Sequence, residues 1–362
     1  MGETEVWSEE MGTLYLTTPG STLTKNGEAL KVYVPAEGET PERKVTIPLH
    51  KITQVVVLGN ITITTPVLWT LLERDVGVTY LTGPGRFMGH LGPALSRNGQ
   101  LRLAQHQAHH DPTRRMEMAR ACVVGKLHNM RVLLMRFARK EDNPVIQEAV
   151  ESLARSKKEA AEVTPDGTLP ADPEHPQAGS TWGTLLGYEG SGSAAYFKSF
   201  GALLREGWVF PGRNRRPPTD PVNALLSFAY TLLHNQMLSA VQTVGLDPYV
   251  GFLHGTQYGK PAMSLDLMEE MRPVLADSVV LTVINKQIIK PDDFEEELGA
   301  YRLNDKGRRS FLEQWEARLE TELQHPVFSY KVTYRRALEM QARLAARWLL
   351  GEIPAYPPLL VR

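Results

Sequence analysis

Two hydrophobic rhythms divide the chain. Up to about residue 95, short runs of β-formers alternate with turn residues. Thr13 to Thr17, Ala29 to Val34, Val45 to Leu49, Gln54 to Leu58, Asn60 to Thr65, Val76 to Leu81 and Arg86 to Leu91 read as strands. Asn26-Gly27 is a type I′ hairpin signal. One helix is predicted from about Thr65 to Arg74, opened by a capping threonine and Pro66. Many short strands broken by glycine and proline predict a small sandwich or barrel-like sheet with one helix.

From Pro112 the apolar period lengthens to three or four. Met116, Ala119, Val123, Leu127, Met130, Leu134 and Phe137 form one stripe of a helix over Thr113 to Lys140. Further helices are predicted over Gln147–Glu162, Thr184–Leu204, Pro221–Val244, Met263–Arg272, Arg308–Gln324 and Thr333–Leu350. Asp220 and Pro221 read as an N-cap and N1 pair. The fold class is α+β: a mostly β domain over 1–100, a polar linker over 101–112, and a larger all-α domain over 113–362. Val163 to Ser180, with Pro165, Pro170, Pro173 and Pro176, reads as a surface loop.

Composition adds exclusions. The single cysteine, Cys122, excludes an internal disulfide and argues against a cysteine zinc site. The acidic N-terminus lacks a signal peptide's apolar core, and no apolar run is long enough to span a bilayer, so a soluble, cytoplasmic protein is expected. P-loop, dinucleotide and nucleophile-elbow signatures are absent from any supporting context.

Net charge is only −1, yet charge is unevenly placed. Residues 101–140 hold nine Lys/Arg against two Asp/Glu, an excess of seven. Arg114, Arg115, Arg120, Lys126, Arg131, Arg136, Arg139 and Lys140 share one predicted helix with few acidic partners, which favours phosphate binding over a merely solvated face. Arg213, Arg215 and Arg216 form a second basic cluster, in a Gly/Pro loop.

Three stretches carry candidate chemistry. Glu189 lies among small and aromatic residues between Leu186 and Phe197. His254 sits in Gly251-Phe252-Leu253-His254-Gly255, where a structural histidine is the commoner reading. Asp266 and Glu269 are three apart, so a helix puts both carboxylates on one face; a buried ion pair with Arg272 is the plainer alternative. Two carboxylates and one imidazole without a thiolate suit Mn²⁺ or Mg²⁺. Spacing alone does not bring the three stretches together. His106, His109 and His110 make a rival metal cluster, although a polar linker is favoured there.

In order along the chain, Leu14-Tyr15-Leu16, Tyr188-Glu189, Asn223 to Tyr230, Leu253-His254-Gly255, Asp266 to Pro273, Tyr334-Arg335-Arg336 and Gln341-Ala342-Arg343 resemble the CRISPR-associated spacer-acquisition endonuclease family, the integrase subunit of the adaptation machinery. The resemblance covers nearly the whole chain. It implies an N-terminal β domain that mediates homodimerisation and a C-terminal helical catalytic domain. It implies a divalent metal, Mg²⁺ or Mn²⁺, on Glu189, His254 and Glu269, with Asp266 as a supporting acid. Met271 stands where the family often has an aromatic residue. The implied reaction is attack by the 3′-hydroxyl of a short DNA fragment on a phosphodiester at the edge of the CRISPR repeat. With water as nucleophile, the same site would cleave DNA or reverse branched products. A small companion protein bridging two dimers is the implied partner. Arg114, Arg115, Arg120, Lys126, Arg131, Arg213, Arg215 and Arg216 are the candidate DNA contacts. Two alternatives stand beside this reading: a metal nuclease acting on branched DNA in repair, and a non-catalytic DNA-binding scaffold.

Overall fold

A computed structural model describes residues 12–36, 41–83, 85–92, 98–139, 142–177, 179–214 and 217–362. The chain forms two compact units, each assembled from two stretches of sequence. One comprises residues 1–95 with 288–320, the other 96–287 with 321–362.

The first unit carries β1 (Thr13–Leu16), β2 (Thr22–Asn26), β3 (Ala29–Val34), β4 (Arg43–Pro48), β5 (Gln54–Leu58), β6 (Thr62–Ile63), α1 (Thr65–Glu73), β7 (Gly77–Leu81) and β8 (Phe87–Leu91). Two four-stranded sheets result, ordered β1-β5-β7-β8 and β4-β3-β2-β6. β1, β5 and β7 are parallel, and every residue of β5 is buried, as expected of a central strand covered on both faces. Leu14, Leu16, Leu23, Leu30, Val32, Val55 and Val57 from both sheets share one core with Val67 and Leu71 of α1. The β2–β3 hairpin pairs Asn26 with Ala29, so the turn is Gly27-Glu28 rather than Asn26-Gly27. Gly27 has φ +59 and Glu28 does not share the left-handed region, which is the type II′ pattern. A later hairpin, β9 (Phe294–Glu297) with β10 (Ala300–Leu303), and a helix belong to this unit too.

The second unit is helical: α2 (Gly99–His110), α3 (Pro112–Ala138), α4 (Pro144–Glu162), α5 (Thr181–Phe200), α6 (Pro221–Val244), α7 (Ala262–Met268) and α8 (Ser278–Asn285). The helix that joins the first unit is α9 (Asp305–Leu319). The second unit closes with β11 (Glu322–Gln324), β12 (Lys331–Thr333) and α10 (Tyr334–Leu349). A π-helical turn, Arg272–Asp277, separates α7 from α8. α5 packs closely on α3 and α4 because Gly192 has no Cβ; one there would collide with Leu127 and press on Leu153 at 3.3 Å.

Two boundaries differ from the sequence reading. The segment expected as a linker, 101–112, is mostly helix α2, whose Gln105 is buried and donates to the Asp247 and Val250 carbonyls at 2.9 and 2.7 Å. The helix expected within the second domain over Arg308–Gln324 is α9, packed in the first unit. There Arg308 donates to the Gly83 carbonyl at 2.9 Å, and Glu316 accepts from the Tyr15 hydroxyl at 2.7 Å. No helix of the described residues is long and apolar enough to cross a membrane.

Candidate active site

The site lies within the helical unit and draws on four segments. The Asp111 carboxylate caps α3 by accepting from Thr113 and Arg114. That helix delivers Lys126 from its buried face. Ser180 caps α5, accepting from the Gly183 amide at 3.1 Å, and α5 presents Glu189. The turn 251–255 supplies His254. α7 supplies Asp266, and Glu269 follows at its C-terminal end.

Asp266 organises the turn. Its fully buried carboxylate accepts the backbone amides of Phe252, Leu253 (3.0 Å) and His254 (2.9 Å). It also accepts His254 Nδ1 at 2.7 Å, which fixes the tautomer and turns Nε2 toward Glu269, 3.7 Å away. Gly251 makes this possible: a Cβ there would lie 2.6 Å from the Ala262 Cβ and 2.8 Å from Asp266 Oδ2. His109 Nδ1 meets the Gly251 carbonyl at 2.6 Å and Arg115 Nε donates to the Phe252 carbonyl at 3.2 Å, bracing the turn from the α2–α3 corner.

Lys126 stands at the centre. Its ammonium pairs with Glu189 Oε1 and lies 2.8 Å from Glu269 Oε2. Arg272 reaches Glu269 Oε1 at 3.0 Å, and Ser193 donates to Glu189 at 3.0 Å. Burial alone would raise the Glu269 pKa. Arg272, Lys126 and His254 outweigh it and hold the carboxyl at about 2. Behind Arg272, the Tyr230 ring lies under its guanidinium at 4.9 Å. The Tyr230 and Tyr196 hydroxyls donate to Asp277 at 2.7 and 2.8 Å.

The donor set suits a hard divalent cation: two carboxylates and an imidazole whose other nitrogen is held by a carboxylate. Glu269 Oε2 is buried and already faces a cation, the Lys126 ammonium at 2.8 Å. Among the described residues no three acidic, histidine or cysteine side chains form a ready-made cage; the Lys126 ammonium stands between the two glutamates.

Glu189, His254 and Glu269 are therefore brought together, with Asp266 directly behind His254. On the basic helix, two of the candidate DNA contacts, Arg115 and Lys126, turn inward. Arg115 is buried with its guanidinium 5.4 Å from the Trp182 ring. Lys126 is buried among the acids. Arg114 donates to the Trp348 and Leu349 carbonyls at the end of α10, and Arg120 to the Val163 carbonyl at 2.8 Å. Arg213 is tied to Asn223 and Ser227. The apparent shortage of acidic partners is met by carbonyls and by carboxylates distant in sequence. Arg131 is half-buried on α3. Arg215, Arg216 and Lys140 lie outside the described residues. In the His106–His110 cluster, His110 Nδ1 meets the His106 carbonyl at 2.9 Å and His109 serves the 251–255 turn; among the described residues the cluster forms no ready-made cage. Sequence reasoning weighed Arg272 only as a pairing partner, which it is. The central role of Lys126 was missed. The Pro-rich loop is anchored at and just beyond the same turn: Glu174 accepts from the Gly255 amide at 3.4 Å and from Gln257 at 3.1 Å, and pairs with Lys260.

Comparison with known proteins places the chain in a family. The family described as CRISPR associated protein Cas1 matches residues 14–317. A protein of Thermus thermophilus named CRISPR-associated endonuclease Cas1 3 is 38% identical over 352 residues, covering 97% of this chain and 98% of its own. A Geobacter sulfurreducens fusion named CRISPR-associated exonuclease Cas4/endonuclease Cas1 is 40% identical over 355 residues; the match spans 96% of this chain and 60% of the fusion. A casposase solved bound to an integration product superposes with a TM-score of 0.81 over 97% of this chain and 95% of its own, at 20% identity, a likeness of fold. The chain belongs to the Cas1 family.

Proposed function

We propose that this member of the Cas1 family is a divalent-metal-dependent DNA endonuclease and integrase whose reaction centre is Glu189, His254 and Glu269. One observation carries the reading: Glu189 and Glu269, from segments far apart in sequence, converge on one buried cationic position, and His254 Nε2 lies beside Glu269 at 3.7 Å. Curated relatives named as Cas1 endonucleases support the reaction class.

Mg²⁺ or Mn²⁺ held by the two carboxylates and His254 Nε2 would polarise a phosphodiester and lower the pKa of the attacking oxygen. The chain's residues supply the rest. Asp266 keeps the proton on His254 Nδ1, so Nε2 stays a lone-pair donor. Arg272 keeps Glu269 ionised and fixed. A 3′-hydroxyl of a short duplex fragment attacks a phosphorus at the edge of the CRISPR repeat. The new oxygen–phosphorus bond forms as the repeat's own breaks, leaving a free 3′-hydroxyl on the displaced strand. With water as nucleophile the same step is hydrolysis. The sheet-rich unit serves as the homodimer contact, and a small companion protein joins two dimers.

A strand-transfer assay tests the reading. A labelled short duplex is incubated with a repeat-bearing plasmid in Mn²⁺ or Mg²⁺, with and without the companion. Joining that depends on metal and is lost in Glu189→Ala, His254→Ala and Glu269→Ala is the expected result. Joining that survives all three places the centre elsewhere. Cleavage with no joining, companion present, assigns the chain to branched-DNA nucleases instead.

A further inference from the structure

Lys126 is an unusual lysine. Its side chain is 10% exposed, and it sits on the buried face of a helix whose other basic residues meet carbonyls or solvent. The backbone is pinned at its neighbour: a Cβ on Gly125 would lie 2.9 Å from Pro358 and 3.0 Å from the Glu270 Cβ. The stem therefore points one way, into Glu189 and Glu269. Its contact with Glu269 Oε2, at 2.8 Å, is a buried ion pair.

Glu189 and Glu269 are already matched by Lys126 and Arg272, and Asp266, behind His254, faces Arg115. Adding a divalent ion beside both cations would leave a buried excess of positive charge, with like charges in contact. Lys126 has four flexible carbons and a point charge, whereas Arg272 is clamped over the Tyr230 ring. The lysine is the cation that gives way.

We propose that Lys126 is a resident counter-ion that occupies the divalent cation's place and is displaced by it, the freed ammonium then becoming a phosphate contact for DNA. The proposal rests on Glu189, His254 and Glu269 as cation ligands. It makes metal loading and DNA binding mutually reinforcing, because linkage between two binding events is reciprocal.

The test is a Mn²⁺ titration, with free Mn²⁺ read by electron paramagnetic resonance. The samples are the full-length protein, Lys126→Met (equal bulk, no charge) and Glu269→Ala. Lys126→Met is expected to bind Mn²⁺ about tenfold tighter than wild type without DNA, a coupling of ordinary size. Its melting temperature is expected to fall in chelator and to gain more from Mn²⁺. With a short duplex, Mn²⁺ tightens DNA binding in wild type and does so less in Lys126→Met. Should Lys126→Met not fold, Lys126→Gln is held to the same criterion. Wild type that binds Mn²⁺, loses it in Glu269→Ala and is not surpassed by Lys126→Met overturns the counter-ion role alone. No Mn²⁺ binding in any sample overturns the ligand set and this inference together. An equal effect of Mn²⁺ on DNA affinity in both proteins overturns the phosphate-contact half.

Discussion

Glu269 and Glu270 are adjacent, both are buried, and their surroundings drive them in opposite directions. Glu269 faces Arg272, Lys126 and His254, and despite burial its carboxyl sits at about 2. Glu270 faces the chain's last residues. It accepts from the Tyr356 hydroxyl at 2.8 Å, Gln341 at 2.7 Å and the Leu359 amide at 2.9 Å. Those donors are neutral, so burial prevails and lifts it to about 7. Asp277, held chiefly by two tyrosine hydroxyls, rises to about 6 in the same way. Burial sets the cost of a charge; the partners' charge decides whether the group stays ionised. A buried acid among cations marks a site built to hold negative charge, whereas one among neutral donors is a structural clasp.

The sharpest challenge to that contrast is substitution on each side. Glu269→Ala should lose strand transfer by about 10²–10³-fold, the scale for removing one group that meets developing charge, while circular dichroism stays native. Glu270→Gln should retain most activity; an equal loss would collapse the distinction. Next in size, Asp266→Asn should weaken Mn²⁺ binding about 10–100-fold in a direct titration, as for other partners of ligating histidines.

The pH dependence of stability comes third, with opposite signs at the two residues. Glu270 is raised from 4.5 to about 7, so its contribution is full below pH 4.5 and is lost as pH rises toward 7. Glu269 is lowered from 4.5 to about 2, so its contribution is full above pH 4.5 and is lost as pH falls toward 2. Thermal melts of Glu270→Gln against wild type should therefore diverge between pH 4.5 and 7, by about 3 kcal/mol at 1.4 kcal/mol per unit. Parallel curves would show that the clasp holds an ionised acid. The smallest effect is expected on the surface. Arg343 pairs with Glu339 at 2.6 Å with a side chain 54% exposed, and Arg343→Ala should cost only about 0.3–0.5 kcal/mol in a denaturant titration.

How far the sequence could be read depended on where the determining contacts lie. α6 was legible end to end, because its signals are local: Asp220 accepts the Asn223 amide at 2.8 Å, Pro221 opens the helix, and Gly245 ends it at φ +97. α2 was not, because Gln105 is buried by hydrogen bonds to a segment 142 residues away, and a polar residue breaks the apolar stripe. The hairpin turn slipped by one residue because the Asn-Gly pair was read as the turn, whereas the pairing register makes Asn26 the last strand residue. In the site, Asp266 and Glu269 could be placed on one face from their spacing. Glu189 and His254 joined them only through the family resemblance. Lys126 was misread because its partner Glu189 lies 63 residues along the chain. Charge counted along a helix says nothing about which charges that helix will meet.

The interleaving of the two units has a consequence for how the protein is made. The Tyr15 hydroxyl, in the first strand, waits for Glu316, 301 residues later. The helical unit waits in turn for α10 and the tail, where Val361 donates to Asn129 at 3.1 Å. A ribosome that has reached residue 287 has therefore produced two unfinished bodies, not one finished domain and a fragment. A premature stop anywhere before α9 leaves both cores open.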